Sequence, residues 1–254
     1  MKFLKKIIKV KKEEIALAKH RATLAVLKKR ISTIATPRPL IKQSCLMLIA
    51  EIKKKSPSRD VIRKNMNFLE LACMFEKKGS AAISVLTDHT FFGGSLDMIP
   101  KIKQIVHIPI LRKDFIIDPY QVYESRAHGA DIILLIARIL KKKLPSFVQL
   151  ALKLGLQPLI EVHTNKEIMY IKNAIKNNQG IIIGINNRDL DSFTIDMQTS
   201  LKLINKIPSS FIRIAESGIQ NRRQLTTIKN AGFDGVLIGE GLAKNKTLIN
   251  YFKK

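Results

Sequence analysis

Short aliphatic and β-branched runs recur along the chain, at 47–53, 81–87, 109–115, 131–137, 157–162, 181–187, 211–217 and 235–240. Each is apolar almost throughout rather than alternating, the pattern of a strand covered on both faces, as in a parallel sheet. Between them, apolar residues recur at helical spacing. Phe68, Leu71, Ala72 and Phe75 form one such stripe, and Leu144, Phe147, Val148, Ala151 and Leu152 another. Gly79, Gly129, Gly155 and Gly232 fall where helices should stop, and glycine suits the left-handed residue that ends a helix. Eight strand–helix units of about 25–30 residues predict an α/β fold, a closed (β/α)8 TIM barrel. An open sheet of six strands is the alternative, because short strands are easily miscounted.

Residues before Met47 lie outside the eight units. Ile15, Ala18, Ala22, Ala25 and Leu27 give the stretch 13–31 a helical spacing. The chain therefore reads as one barrel domain, 1–254, carrying an N-terminal helical extension, 1–46. That extension either covers the catalytic mouth or plugs an end of the barrel. The chain stops at Lys254, just after the eighth unit, so no second, fused barrel is expected.

Composition narrows the class. Of 254 residues, 46% are hydrophobic, enough to offset the entropy of ordering a core. No apolar run exceeds six residues, whereas a membrane span needs about 20. Lysines run through the apolar stretch at the N-terminus rather than ahead of it, unlike a secretory signal. Two cysteines, Cys45 and Cys73, are too few for a disulfide framework or a four-cysteine zinc site, and read as small core residues. Together these predict a soluble, cytoplasmic protein with no membrane partner.

The net charge of +25 suggests nucleic acid at first sight. The basic residues, however, are spread over the whole chain, and Lys, Ile and Asn are abundant while Trp is absent. Solvated helix faces are the plainer account, so no nucleic-acid partner is expected. A positive field also draws in anionic small molecules.

The sharper signal is polar residues at the ends of apolar strands. The first run reads Leu48-Ile49-Ala50-Glu51-Ile52-Lys53 and the third Ile110-Leu111-Arg112-Lys113-Asp114-Phe115. The fifth carries Glu161, the sixth ends Asn186-Asn187-Arg188, and the seventh ends Glu216-Ser217-Gly218. In a barrel all these ends converge on one face. Glu51, Lys53, Lys113, Glu161, Asn186 and Glu216 then point into one cavity, with Glu51 and Lys53 on the same side by the period of two. Any one of them alone is ordinarily a rim salt bridge. Six together make a polar pocket in which lysines and glutamates divide acid and base roles. Ser56-Pro57-Ser58 follows the first strand, Ser217-Gly218 the seventh and Gly239-Glu240-Gly241 the eighth. Barrels often hold a phosphate at the loops after the last two strands. None of the five histidines has metal-ligand spacing, so no metal is expected; His163 follows Glu161 by two and reads as a bystander. No GxGxxG or Walker loop occurs, so no nucleotide cofactor is expected.

These segments also carry a resemblance. Ile49 to Ser58, Ser84 to Asp88 with Phe92 to Ser95, Leu111 to Ile116, Gly184 to Leu190, Ala215 to Ile219 and Leu237 to Glu240 closely resemble the indole-3-glycerol phosphate synthases. The likeness runs from about Ala50 to the C-terminus. It implies a cofactor-free lyase of tryptophan biosynthesis. The reaction is conversion of 1-(2-carboxyphenylamino)-1-deoxyribulose 5-phosphate to indole-3-glycerol phosphate, CO2 and water. By that likeness Lys113 is the general acid on the ribulose carbonyl and Glu161 the acid–base partner in the dehydration. Lys53 contacts the substrate carboxylate, while Glu51 and Asn186 orient Lys113 and substrate hydroxyls. Glu216 and Ser217 bind substrate. Ser56, Gly218, Gly239 and Glu240 form the phosphate site. Arg188 lies near the anthranilate carboxylate, and Phe91, Phe115 and Leu135 wall the aromatic ring. The partner is then a small phosphorylated molecule, and the working unit a monomer. The chemistry suits the residue types: ring closure needs a proton donor at a carbonyl, and desolvation is expected to lower a lysine's pKa enough to serve. Other phosphate-binding barrels of amino-sugar isomerase type would rely on Asp or Cys at these ends, where this chain has Lys and Glu. One departure stands out: Asp60 replaces a glycine usual in the loop after the first strand, which predicts altered loop motion or weaker substrate affinity.

Overall fold

Eight parallel strands close into a single barrel in the computed structural model of the chain, which describes residues 2–55, 67–174 and 180–252. The strands are β1 (Met47–Ile52), β2 (Ala82–Leu86), β3 (Ile110–Lys113), β4 (Ile132–Ile136), β5 (Gln157–Val162), β6 (Ile182–Asn186), β7 (Ile212–Glu216) and β8 (Gly235–Ile238). Each lies inside the run predicted for it, and each pairs with its sequence neighbours, β8 closing on β1. The open six-stranded sheet is thereby excluded.

Among the described residues the helices are α1 (Lys2–Arg21), α2 (Leu24–Thr33), α3 (Phe68–Lys77), α4 (Met98–Lys103), α5 (Pro119–Ala127), α6 (Ala137–Leu140), α7 (Leu144–Lys153), α8 (Asn165–Ala174), α9 (Gln198–Leu203), α10 (Arg222–Asn230) and α11 (Glu240–Lys244). The four glycines expected to end helices all have φ between 76° and 89°, the left-handed region that a β-carbon disfavours.

Alternation along the strands sorts the core into two layers. Leu48, Ala50, Ile83, Val85, Ile133, Leu135, Ile160 and Ile183 face outward and pack under the helices. Met47, Ile49, Ala82, Leu111, Ile132, Leu134, Leu159, Ile182, Ile214 and Leu237 fill the barrel interior. The outward set includes Leu135, so its expected place in the wall of the site is corrected: Leu134 and Ile136 point inward instead. Cys45 is exposed and Cys73 half-buried, so neither is the small core residue that composition suggested.

The N-terminal extension works at both ends of the barrel. The helical stretch expected over 13–31 is the end of one helix and most of a second, and the first begins at Lys2. Thr23 divides them, its hydroxyl capping the Val26 N–H. Leu4, Ile7, Lys11 and Ile15 form the buried stripe of α1. Leu4 and Ile7 reach the interior cluster from the C-terminal face of the barrel, while Ile15 and Leu27 pack on Tyr120 and Ala127 of α5. The connecting stretch 34–46 crosses the opposite end. There the Arg38 N–H donates to Asp131 at 2.6 Å, and the Leu40 backbone exchanges two hydrogen bonds with the Gln157 amide.

Lys11 is the charge inside an otherwise apolar stripe. Its ammonium lies 2.8 Å from Asp88, 2.9 Å from Asp114 and 2.6 Å from Glu14. Asp114 also takes Arg112 at 3.1 Å and the Thr87 hydroxyl at 2.7 Å. Helix α1 is therefore clamped to the ends of β2 and β3 by a buried ionic network.

Candidate active site

The C-terminal ends of the strands and the first turns of α1 line one pocket. Its floor is made of the inward residues that the period of two selects. Lys113 ends β3; its ammonium is 2.9 Å from Glu216 on β7 and 3.4 Å from Glu161 on β5. On β1, Lys53 and Glu51 pair at 2.7 Å. Asn186 closes β6, its side-chain oxygen accepting the Arg188 N–H at 2.9 Å. Two glycines make the room. A β-carbon at Gly184 would overlap the Glu216 carboxylate, and one at Gly239 would overlap that of Glu51. Each glycine is thus the space its neighbour's carboxylate occupies.

Burial acts to lower the Lys113 ammonium. Glu216, Glu161 and Glu51 surround it and outweigh burial, holding it above the ordinary lysine range. The expectation of a lysine lowered by desolvation is corrected accordingly: the cage of carboxylates reverses the direction. Burial pushes Glu51 up, but Lys53, Lys113 and Arg188 outweigh it and keep it below the ordinary carboxylate range. Glu216 goes the other way. Burial, with Glu161 and Glu51 beside it, raises it to about 7 in spite of Lys113.

This displacement has a measurable sign. A carboxyl raised from 4.5 to about 7 on folding binds more protons in the native state between those values. Its contribution to stability is full below the lower value and is lost as pH rises through the upper one. The thermal midpoint of the wild type relative to Glu216→Gln should therefore fall between about pH 5 and pH 8. A difference that stays constant across that range would contradict the assignment.

The rest of the pocket divides into an apolar wall and a glycine-rich rim. Phe115, Phe92, Leu134, Ile136, Phe3, Leu4, Ile7 and Phe193 form the wall. The rings of Phe92 and Phe115 lie 6.0 Å apart, and Phe3 meets Phe193 edge-on at 4.8 Å. Phe91, expected in the wall, is not among the residues lining the pocket; it packs edge-on against Phe3 at 5.5 Å while Phe92 takes the lining position. Asp88 sets this exchange, accepting the backbone N–H groups of both Phe91 and Phe92. The rim carries Ser217 and Gly218 after β7 and Gly239, Glu240 and Gly241 after β8. Ser217 and Gly218 have φ of 66° and 85°, a consecutive left-handed pair. Arg188 lines the same pocket and pairs with Glu240 at 3.2 Å. Ser56 and Asp60 lie outside the described residues.

The extension thus contributes to the mouth as well as to the far end. Phe3, Leu4, Ile7 and Lys11 were not singled out in the sequence. Lys11 had a legible signal: it falls at the stripe position between Ile7 and Ile15 where an apolar residue belongs. His163, read from the sequence as a bystander, does not line the pocket but stands against Glu161. Its buried ring stands 3.4 Å from Glu161 and 3.5 Å from Glu167.

Comparison with known proteins agrees with this geometry. The barrel superposes on 3-hexulose-6-phosphate synthase from Salmonella typhimurium with a TM-score of 0.62, covering 82% of this chain and 96% of that one. Identity there is 12%, so this likeness concerns the fold alone. Sequence relatives are nearer. The indole-3-glycerol phosphate synthase of Chlorobium chlorochromatii (strain CaD3) is 41% identical over 250 residues, covering 95% of each chain. That of Campylobacter jejuni subsp. doylei (strain ATCC BAA-1458 / RM4099 / 269.97) is 42% identical over 244 residues, covering 93% of each. The family profile of indole-3-glycerol phosphate synthase matches residues 4–254. With barrel, strand-end lysines and glutamates, and near full-length similarity in agreement, the chain belongs to the indole-3-glycerol phosphate synthase family.

Proposed function

We propose that the strand-end residues divide the family reaction among themselves as follows. The substrate, 1-(2-carboxyphenylamino)-1-deoxyribulose 5-phosphate, lies with its aromatic ring against Phe92, Phe115, Leu134 and Ile136 and its phosphate at the rim of Ser217, Gly218, Gly239 and Glu240. Glycine there allows backbone N–H groups close approach to an oxyanion. Ser56 is assigned to the same anion.

Ring closure forms a bond between the ring carbon bearing the carboxylate and the ribulose carbonyl carbon. The carbonyl oxygen gains charge as it is attacked, and Lys113 supplies the proton. A lysine held above its ordinary range is fully protonated at neutral pH, which is the form a donor needs. The alcohol formed is a weaker acid still, so the transfer runs downhill as the bond closes. Lys53 sits opposite the substrate carboxylate until the carbon–carbon bond to it breaks and CO2 leaves. The hydroxyl made in the first step then departs as water on taking a second proton, supplied by the Lys53 ammonium, and Glu161 removes the proton whose loss makes the five-membered ring aromatic. Glu51 holds Lys53, Asn186 and Glu216 orient Lys113 and the substrate hydroxyls, and Arg188 stands at the mouth near the carboxylate. The scheme consists of proton transfers and heterolytic cleavages, and calls on no cofactor.

The observation that supports this reading best is the Lys113 ammonium buried between two glutamates on the floor of an apolar-walled pocket. All of the assigned groups come from one chain, which supports one barrel domain acting as a monomer. Two unpaired cysteines support a cytoplasmic location. No helix among the described residues is long and apolar enough to cross a membrane.

The test is product fluorescence in steady state with purified protein. Wild type should turn over the ribulose phosphate, and Glu161→Gln should lower kcat by about 10²–10³-fold, the range for loss of a positioned acid–base group. An unimpaired Glu161→Gln would remove Glu161 from the scheme.

A further inference from the structure

The far side of Glu161 is built as carefully as the side facing the pocket. One oxygen, Oε2, faces Lys113. The other, Oε1, is turned away toward His163 Nε2 at 3.4 Å. It is buried and makes no hydrogen bond among the described residues. The His163 side chain is 4% exposed, and its other nitrogen, Nδ1, faces Glu167 Oε2 at 3.5 Å. Glu167, on α8, is itself fixed. It accepts the His163 backbone N–H at 2.7 Å and Arg138 Nε at 3.2 Å, and Arg138 from α6 continues to Asp189 at 3.2 Å. His163 and Glu167 are absent from the pocket lining. The imidazole therefore sits between a carboxylate inside the site and one outside it.

Burial on its own would lower His163. The nearby Glu167 carboxylate and the charge of Glu161 outweigh burial and the opposing Arg138, so the ring is raised from its ordinary value and the imidazolium is favoured. The charged groups facing it are Glu161 from β5, Glu167 from α8 and Arg138 from α6, with Lys113 beyond Glu161.

We propose that His163 acts through Glu161 as a positioning residue: the ring stands against Oε1, turns Oε2 to the cavity, and sets a positive charge beside the carboxylate that makes the last proton abstraction. The arm Glu167–Arg138–Asp189 fixes the ring from outside. This rests on the assignment of Glu161 as the acid–base group.

The experiment is the pH dependence of kcat for wild type, His163→Gln, Glu167→Gln and Glu161→Gln. His163→Gln keeps a hydrogen-bond donor but loses the charge. It should lower kcat about tenfold with KM changed less than about twofold, and should move the acid limb of kcat to higher pH. Glu167→Gln touches neither Glu161 nor the pocket. It weakens the imidazolium from behind and should move the limb in the same direction by less. A packing defect alone would lower the thermal midpoint and leave the limb in place. Should His163→Gln not fold, Glu167→Gln carries the test. An unmoved limb in the variants that fold overturns the positioning role while a slow Glu161→Gln leaves the mechanism standing. A wild-type rate in Glu161→Gln removes the mechanism's base and the positioning role together.

Discussion

Lys113→Ala is expected to lower kcat/KM by about 10³-fold or more, equivalent to ~4 kcal/mol of transition-state stabilisation. Two losses combine. The proton donor to the ribulose carbonyl is gone. In addition, Glu161, Glu216 and Glu51 are left as buried carboxylates without the cation between them. Removing a cation from among buried carboxylates is costly, so the group assigned as base loses the charge that faces it. A single substitution thereby removes the acid and disarms the base. The measurement is the initial rate of product fluorescence, alongside a thermal melt to establish that the variant is folded. A folded variant within about tenfold of wild type would place the proton donor elsewhere, with Lys53 the remaining candidate on the floor.

Lys11→Met should act mainly on stability and substrate binding. The ammonium is buried against Asp88, Asp114 and Glu14. Breaking a buried ionic cluster by removing one partner costs ~3–5 kcal/mol, here chiefly because Asp88 stays buried without the cation, whereas Asp114 keeps Arg112. For a chain of this size that corresponds to a thermal midpoint lower by about 10 °C. The kinetic effect should be selective. Phe3, Leu4 and Ile7 line the pocket from the helix that Lys11 holds, and Asp88 orients the loop carrying Phe92. KM should rise several-fold, with kcat less affected, since Lys113, Glu161 and Glu216 are anchored in the sheet. Adding Asp88→Asn to Lys11→Met should cost less than the two single losses summed, as expected for groups in one network. An additive pair, or an unchanged midpoint, would show that the cluster does not secure α1.

The clamp also has a defined pH range. Burial acts to lower Lys11, but Asp114 and Asp88 outweigh it and hold the ammonium above its ordinary range, so its contribution is complete at neutral and mildly alkaline pH. Burial acts to raise Asp114, but Arg112 and Lys11 outweigh it and hold the carboxyl well below its ordinary value of 3.8. That part of the stability is present above 3.8 and is lost as pH falls through the lower native value. Acid, rather than alkali, should release the helix.

The barrel was legible because its strands are too apolar for any one-faced sheet and because glycines mark the helix ends. The floor of the site was legible for the same reason: an ionisable group ending such a strand stands out, and alternation places Glu51 with Lys53. Where alternation carries no information, the reading failed. In β4, Ile132–Ile136, every position is apolar, so nothing in the strand itself says that Leu134 rather than Leu135 faces inward; the pairing of Ile136 with Glu161 decides it. Phe91 and Phe92 stand in a loop with no period, and the two N–H groups accepted by Asp88 choose between them. His163 lies one residue beyond β5, where the period of two no longer applies. The direction of the Lys113 displacement depends on three carboxylates from three other strands, which only the closed barrel brings within reach.

The Lys11 clamp also bears on how the chain assembles as it is made. Helix α1 leaves the ribosome ahead of its partners Asp88 and Asp114, which are encoded far downstream of it. Until the loop after β2 has been synthesised, Glu14 on the same helix is the one ion-pair partner described for Lys11 that has been made. The helix is thus held back from its final contacts by chain order, and the catalytic mouth acquires its roof after the staves beneath it.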